Sequence, residues 1–447
     1  MPPPDLRREL SLLDATMINV GTMIASAIFI VPAIVISHLG GSVPAVGVWV
    51  VGGAISLLGA LCVAELGGAF PEAGGQYVYL REAFGPVWGF LYGWAAFAVI
   101  NTASVAAIAV GFAVYAGYFV PLGPVALKLV ALVSIVVLTA LNCVGVRPGV
   151  VTQNVLTLAK IGALGVLIVA GLALPGGSAA NLQPFWPAPG EAGLAGPVGL
   201  ALIAVLWAYD GWIETTYVGS EIRDPGRVLP RSIILSTAIV VVVYTLAALA
   251  YTWVLSPGRM AGSVLVASDA ARVTLGDAGA TFVAIAILIS TLGANNGIIL
   301  TAARIPYAMA RGGHFFAWAG KVHPRWLTPV TALVVQGAIS AALLFTGTYE
   351  QLATYVVFAS FVFYGMSCAA VVRLRRTRPD LPRPYRAWGY PLTPLVFIAF
   401  AAWLVGNTIA EAPRDAAIGA AIIVAGLPGY FYWRGKGKGE GGRAASE

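Results

Sequence analysis

The chain has 447 residues, of which 59% are hydrophobic and only 10% charged, with mean hydropathy +0.86 and net charge +7. Soluble domains carry about 25% charged residues, so this composition excludes a water-soluble globule and describes an all-α integral membrane protein. The basic balance needs no nucleic-acid partner, because most of the positive charge gathers on one side of the spans described next.

Leu6-Arg7-Arg8-Glu9 precedes an apolar segment of full spanning length, rather than the short apolar core of a cleavable leader. The first segment is therefore read as a retained span. Twelve spans follow in order: 12–36, 43–70, 83–119, 123–144, 150–174, 197–220, 231–256, 279–311, 328–346, 350–373, 391–410 and 415–434. A bilayer needs about 20 apolar residues per helix, so the longer segments are expected to tilt or to project into water. Of the 26 Lys and Arg, Lys128, Arg259, Arg272 and Arg414 fall outside and Lys160 falls within the membrane. The remaining 21 sit on the side of the N-terminus, which places both termini in the cytoplasm. The run Arg373-Leu-Arg-Arg-Thr-Arg378 to Arg386 reads as an orientation signal facing anionic lipid.

The middle of span one, Gly21-Thr-Met-Ile-Ala-Ser-Ala-Ile-Phe29, is rich in residues that hold a helix weakly or allow close backbone approach. It fits either a close-packed helix interface or a helix broken at mid-depth, whose free N–H and C=O ends would suit a small charged solute. Span six carries a parallel stretch, Ala208-Tyr-Asp-Gly-Trp-Ile-Glu214, with an acid and a glycine in mid-membrane. Spans one and six are five apart. The chain therefore reads as two inverted five-helix halves, 12–174 and 197–373, each opening with a discontinuous helix. Residues 1–11 form an N-terminal segment, 391–434 a further helix pair and 435–447 a Gly-rich disordered tail. Of the long outer connections, Pro175–Pro197 is nearly uncharged, and Ser256–Ala278 has weak helical character over the outer face.

Ionisable groups in the membrane are costly and call for a partner or a purpose. Lys160, about ten residues into span five, could replace a coupling cation beside broken span one, carry a proton, or simply bond exposed carbonyls. Asp210 could hold the unwound backbone, meet the substrate or bond Lys160. Glu214 lies one turn further on, and Glu65 reads as a helix-end residue. Asn101, Thr102 and Ser104 in span three and Ser290, Thr291, Asn295 and Asn296 in span eight either line a central site or bond neighbouring helices. Trp207, Tyr209 and Trp212 bracket the span-six break as candidate caps or as packing. His38, His314 and His323 lie at membrane margins, and no metal-ligand spacing, phosphate-binding loop or cofactor motif occurs. Cys62, Cys143 and Cys368 show no disulfide framework.

Several passages together resemble the amino acid–polyamine–organocation superfamily, and within it a bacterial-type member of the L-type amino-acid transporters. They are Gly21–Phe29, the run Ala64-Glu-Leu-Gly-Gly-Ala-Phe-Pro-Glu-Ala-Gly-Gly-Gln-Tyr-Val-Tyr79 through Phe84-Gly-Pro86, and Leu206-Trp-Ala-Tyr-Asp-Gly-Trp212 with Glu221 and Asp224-Pro-Gly-Arg-Val-Leu-Pro-Arg231. Asn296-Gly297 and Arg304-Ile-Pro-Tyr-Ala-Met-Ala-Arg311 complete the set. The resemblance implies a LeuT-like five-plus-five inverted repeat with spans eleven and twelve outside it. It implies a substrate site on Thr22, Met23, Ile24, Ala25, Ser26, Ala27, Ser104, Trp207, Ala208, Tyr209 and Asp210. There the carboxylate would meet N–H groups near Ser26 and Ala27, and the amino group carbonyls of Thr22, Met23, Trp207 and Ala208. Trp207 is similar to the family's outer gate. Lys160 matches the lysine standing where sodium-coupled relatives bind a cation, and Lys160, Trp207, Asn295 and Asn296 are the expected coupling and gating residues.

Three departures qualify the likeness. Ala25 and Ala27 replace glycines, Asp210 replaces a glycine common in large-neutral carriers, and the outer loop 119–124 has no cysteine for a disulfide to a heavy subunit. The expected function is sodium-independent exchange of small neutral L-amino acids in the plasma membrane. The alternatives are proton-coupled symport with Lys160 as the proton site and a carrier that includes cationic amino acids. A channel, a nutrient sensor and a membrane enzyme are the readings from other classes, and no catalytic set supports the last.

Overall fold

In a computed structural model describing residues 5–187, 195–345 and 349–434, the first apolar segment is two helices. Ser11 caps α1 (Leu12–Met23) in a capping box with Asp14, which satisfies donors at its start. The helix stops where Ile24 leaves helical geometry (φ −78°, ψ 88°), and α2 (Ala27–Leu39) resumes at an angle of 42°. The remaining helices are α3 (Ser42–Ala69), α4 (Gln76–Phe84), α5 (Pro86–Ala95), α6 (Asn101–Ala116), α7 (Pro124–Cys143), α8 (Val146–Ala173) and α9 (Ala195–Tyr209). Then come α10 (Glu214–Tyr217), α11 (Pro225–Val254), α12 (Pro257–Ala261), α13 (Val266–Ala302), α14 (Arg304–Arg311), α15 (Val330–Leu343), α16 (Tyr349–Thr377), α17 (Leu392–Glu411) and α18 (Pro413–Val424). Among the described residues nine helical stretches are long and apolar enough to span, and the bent α1–α2 pair makes ten. Two shorter apolar helices, Gly196–Tyr209 and Val330–Leu343, stand where spans six and nine were predicted.

Several boundaries differ from the sequence reading for local reasons. Predicted spans five and seven begin earlier, at Val146 and Pro225, because prolines fit the first helical turn, where their missing N–H costs nothing. Span six is discontinuous, as its Asp210–Gly211 stretch predicted: α9 ends at Tyr209, a turn follows, and α10 is a single turn. Predicted span three is α5 and α6 joined by a π-helical turn over Ala96–Ile100. The outer segment 256–278 contains α12 and the first turns of α13, which bends at Gly276, a residue in the left-handed region (φ +69°). The predicted tail 435–447 lies outside the described residues.

Spans five apart lie against one another: α2 packs on α9, α3 on α11, α6 on α13 and α7 on α15. This is the pairing that two inverted halves predict. Among the described spans, the stretches α5–α6 and α13–α14 and the helix α16 are the most enclosed. By contrast α7 and α8 expose rows of large apolar side chains, including Leu129, Val133, Val137, Val155, Leu158 and Val169. A patch that extended suits lipid, not water.

The face carrying the N-terminus is tied by polar groups. Glu9 and Leu10 N–H donate to Glu221 O at 2.8 and 2.9 Å, and Arg223 N–H returns to Leu10 O at 2.9 Å. Arg304 grips the Glu221 carboxylate with both ends of its guanidinium (2.8 and 3.1 Å), and both side chains are buried. Glu65 is more than a helix end. It pairs with Arg375 at 2.5 Å and Arg383 at 3.3 Å and accepts Ala387 N–H, tying α3 to the end of α16 and to the segment that follows it.

Candidate functional site

The two helix breaks meet. At Gly211 the chain turns with φ +113°, and a β-carbon there would lie 2.9 Å from Thr22 Oγ1 and 3.1 Å from Met23 N. Only glycine permits both the conformation and the approach. Thr22 Oγ1 lies 3.2 Å from Gly211 O and 2.9 and 3.0 Å from Asn19 O and Ile18 O of its own helix, so the two breaks are in polar contact.

Around this crossing lies a narrow cavity, with about 30 Å³ of room for the centres of water molecules and about 460 Å³ of empty space once its open mouth is counted. It is lined by Thr22, Met23, Ala25, Ser26, Ala27, Asn101, Ser104, Ile108, Trp207, Asp210, Gly211, Glu214 and Ile298. Phe29 N–H reaches back to Ser26 O at 3.1 Å, and the preceding amides at the start of α2 have no carbonyl a turn earlier to bond. These N–H groups and the positive end of α2 make one wall attractive to an anion. The Ser26 hydroxyl and the Asn101 amide nitrogen, each on a cavity-lining residue, are buried with no partner.

The carbonyl end of the first break is held from behind. Lys160, fully buried, donates to Gly21 O at 2.8 Å, Ile24 O at 2.7 Å and Ser290 O at 2.8 Å. An ammonium has three hydrogens, and all three are used. Ser290 Oγ donates to Ile24 O at 2.9 Å and lies 3.2 Å from Ala25 O, and Tyr244 Oη donates to Met23 O at 2.6 Å. Gly293 makes room for this arrangement: a β-carbon there would stand 2.9 Å from Lys160 Nζ.

Most of the sequence-predicted residues converge on the cavity, but not all. Ile24 presents its carbonyl to Lys160 and Ser290 behind the cavity wall. Ala208 is buried outside the lining. Tyr209 turns away, donating from its hydroxyl to Trp49 O at 3.1 Å and packing on Trp49 and Tyr244. Asn295 donates to Val105 O (3.2 Å), which joins α13 to α6. Asn296 donates to Gly149 O and Gln153 Oε1 and accepts from Asn142, binding α13 to α8 and α7. Lys160 does not touch Asp210.

Asp210 instead accepts from Tyr364 Oη at 2.5 Å, and Thr301 Oγ1 donates to Glu214. A third close pair, Tyr92 Oη and Tyr217 Oη at 2.6 Å, completes a buried polar cluster below the breaks. Sequence reasoning missed the three tyrosines, Ile108 and Ile298. Tyr364, 154 residues from its partner Asp210, gave no local signal.

Comparison with known proteins agrees with this architecture. A family model described as amino acid permease matches residues 10–432. The chain is 35% identical over 437 residues to the b(0,+)-type amino acid transporter 1 of Mus musculus, covering 95% of this chain and 88% of that protein. It is also 35% identical over 452 residues to the large neutral amino acids transporter small subunit 2 of Homo sapiens, covering 97% of this chain and 82% of that protein.

Proposed function

Because the chain belongs to the amino acid permease family and is an amino-acid transporter, we propose that it exchanges small neutral L-amino acids across the plasma membrane without sodium. The observation that carries this reading is Lys160. Its ammonium takes two carbonyl oxygens of the first break and one of α13, where a coupling cation would otherwise find its ligands. A tethered charge cannot be carried across, so no sodium gradient is harnessed there.

The substrate carboxylate docks on the amides at the start of α2, with the Ser26 hydroxyl at hand. The ammonium meets the carbonyls of Thr22 on the first break and Ala208 on the second, while Trp207 O already accepts the Asp210 N–H at 3.2 Å. Met23 O is already bonded by Tyr244 and contributes less. The Ala25 and Ala27 methyls narrow the carboxylate end and favour small side chains. Trp207 closes the cavity from outside, and the halves 12–174 and 197–373 rock around it while 391–434 stays apart. The charge distribution supports cytoplasmic termini. The loop 119–124 has no cysteine, so the chain works without a disulfide-linked heavy subunit.

A second reading rests on Asp210 and Glu214: two carboxylates in the lining suit a cationic side chain, so lysine-like substrates join the neutral ones. The test is uptake of labelled amino acids into sodium-free proteoliposomes, empty or preloaded with unlabelled amino acid. Exchange predicts strong stimulation by internal substrate. Equal uptake by empty vesicles, driven by an inward proton gradient, would instead make the protein a symporter.

A further inference from the structure

Two carboxylates line the substrate cavity, and among the described residues neither forms an ion pair. Lys160, the cation nearest by sequence reasoning, is spent on backbone carbonyls. If it lost a proton, one of its three short contacts would set a nitrogen lone pair against a carbonyl oxygen, so it is a poor proton carrier. Water filling the empty cavity can solvate both carboxylates. A zwitterionic substrate with a neutral side chain displaces that water and brings no net charge. Two buried carboxylates without a counter-ion are then costly, and a proton is the cheapest remedy.

The geometry points to Glu214 as the place where it lands. We propose that Glu214 takes up a proton when a neutral amino acid fills the cavity, and gives it up when a substrate with a cationic side chain fills it instead. The proposal rests on the amino-acid reading above. The proton adds to a carboxylate oxygen from water and returns to water, so the occupied cavity carries the same charge with either class of substrate.

Thr301 lets both forms of Glu214 exist without moving a heavy atom. Its single hydroxyl hydrogen can point to the Glu214 carboxylate or, at 3.0 Å, to Gly297 O in its own helix. When Glu214 is protonated, the carboxyl donates to Thr301 Oγ1 and the hydroxyl turns to Gly297. Asp210 has no such alternative, since it is held by Tyr364, whose hydroxyl points at it. An independent sign that an occupant completes the site is Asn101, 4% exposed, whose side-chain nitrogen has no acceptor although the residue lines the cavity. The titratable and charged groups facing Glu214 are Asp210 and Tyr217 from its own segment, Tyr92 from α5 and Tyr364 from α16. From α1 and α11 the nearby polar groups are the uncharged Asn19 and Ser236. Arg304, beyond Thr301 in the chain, is occupied by Glu221.

The test is calorimetric titration of the purified full chain with alanine, serine and lysine, each in two buffers of different ionisation enthalpy. The buffer difference counts protons taken up per substrate bound. The expected result at neutral pH is about one proton for alanine or serine and none for lysine. Glu214→Gln should bring the alanine count to none, and Glu214→Asp should restore it. Should Glu214→Gln not fold, Thr301→Val keeps the carboxyl and should shift the pH at which proton uptake sets in. Alanine binding with no buffer dependence in the wild type, an unchanged count in Glu214→Gln, or an unmoved onset in Thr301→Val would each overturn the proposal. An absence of binding heat for every amino acid would overturn the transport reading, and this proposal with it.

Discussion

Replacing Lys160 by Met tests how the first break is held open. The side chains are similar in length, so packing is largely kept and the ammonium alone is lost. Of the three carbonyls involved, Ile24 O retains Ser290 Oγ at 2.9 Å, and Ser290 O lies within α13, where a helical donor follows it. Gly21 O has no such reserve, because Ala25 N–H bonds Met23 O instead. One orphaned buried carbonyl costs about 1–3 kcal/mol, partly offset by no longer burying a charge. A net penalty of about 2 kcal/mol on the ordered break corresponds to a roughly 30-fold fall in uptake. The fall should be alike for alanine, leucine and lysine, because the break underlies recognition of them all. The assay is initial uptake into proteoliposomes, with a monodisperse elution profile as the check on folding. Uptake within about threefold of wild type would refute the reasoning.

Further substitutions probe other parts of the account. Asp210→Gly should lose about tenfold or more of lysine and arginine uptake while keeping alanine and leucine; equal loss for all substrates would make Asp210 architectural. Ala27→Gly removes a methyl from the carboxylate end of the cavity and should raise leucine uptake relative to alanine, read from competition at fixed label. Arg304→Met leaves Glu221 buried without its cation, and a loss of about 3–5 kcal/mol should appear as a large drop in melting temperature. At the N-terminal face, the Tyr307 hydroxyl and then the Leu6 N–H hold the Asp5 carboxyl below the usual carboxylate range. This contact is therefore intact at neutral pH and is lost only as acidification passes that lowered value. Asp5→Asn should speed trypsin cleavage at Arg7 and Arg8 at neutral pH, whereas mild acidification of the wild type should not.

The features legible in the sequence were those with a local signature. Small residues at 21–27 and a Gly after Asp210 marked both breaks, because weak helix formers and close backbone approach are properties of the residues themselves. Lys160 stood out as a charge in an apolar run, and the structure supplied the acceptors it required. What escaped depended on direction or on distance along the chain. Tyr209 sits at the last residue of α9, where helical periodicity no longer tells which way a side chain points, and it faces α3 and α11. Asn295 and Asn296 were polar residues on an enclosed helix. Neither composition nor spacing could say whether they face a cavity or, as here, the carbonyls and amides of neighbouring helices. The links of Asp210 to Tyr364 and of Glu214 to Thr301 join residues 154 and 87 positions apart, and only the folded chain brings them together.

The claim on which the account turns is that substrate lies between the two breaks, with its carboxylate on the start of α2. The most direct measurement is modification of Ser26→Cys by a small thiol reagent, in a background where the buried Cys62, Cys143 and Cys368 are replaced by alanine. The account predicts that the introduced thiol reacts in the empty carrier, that saturating alanine protects it, and that modification abolishes uptake. Labelling at the same rate with and without alanine, or full uptake after complete labelling, would contradict it.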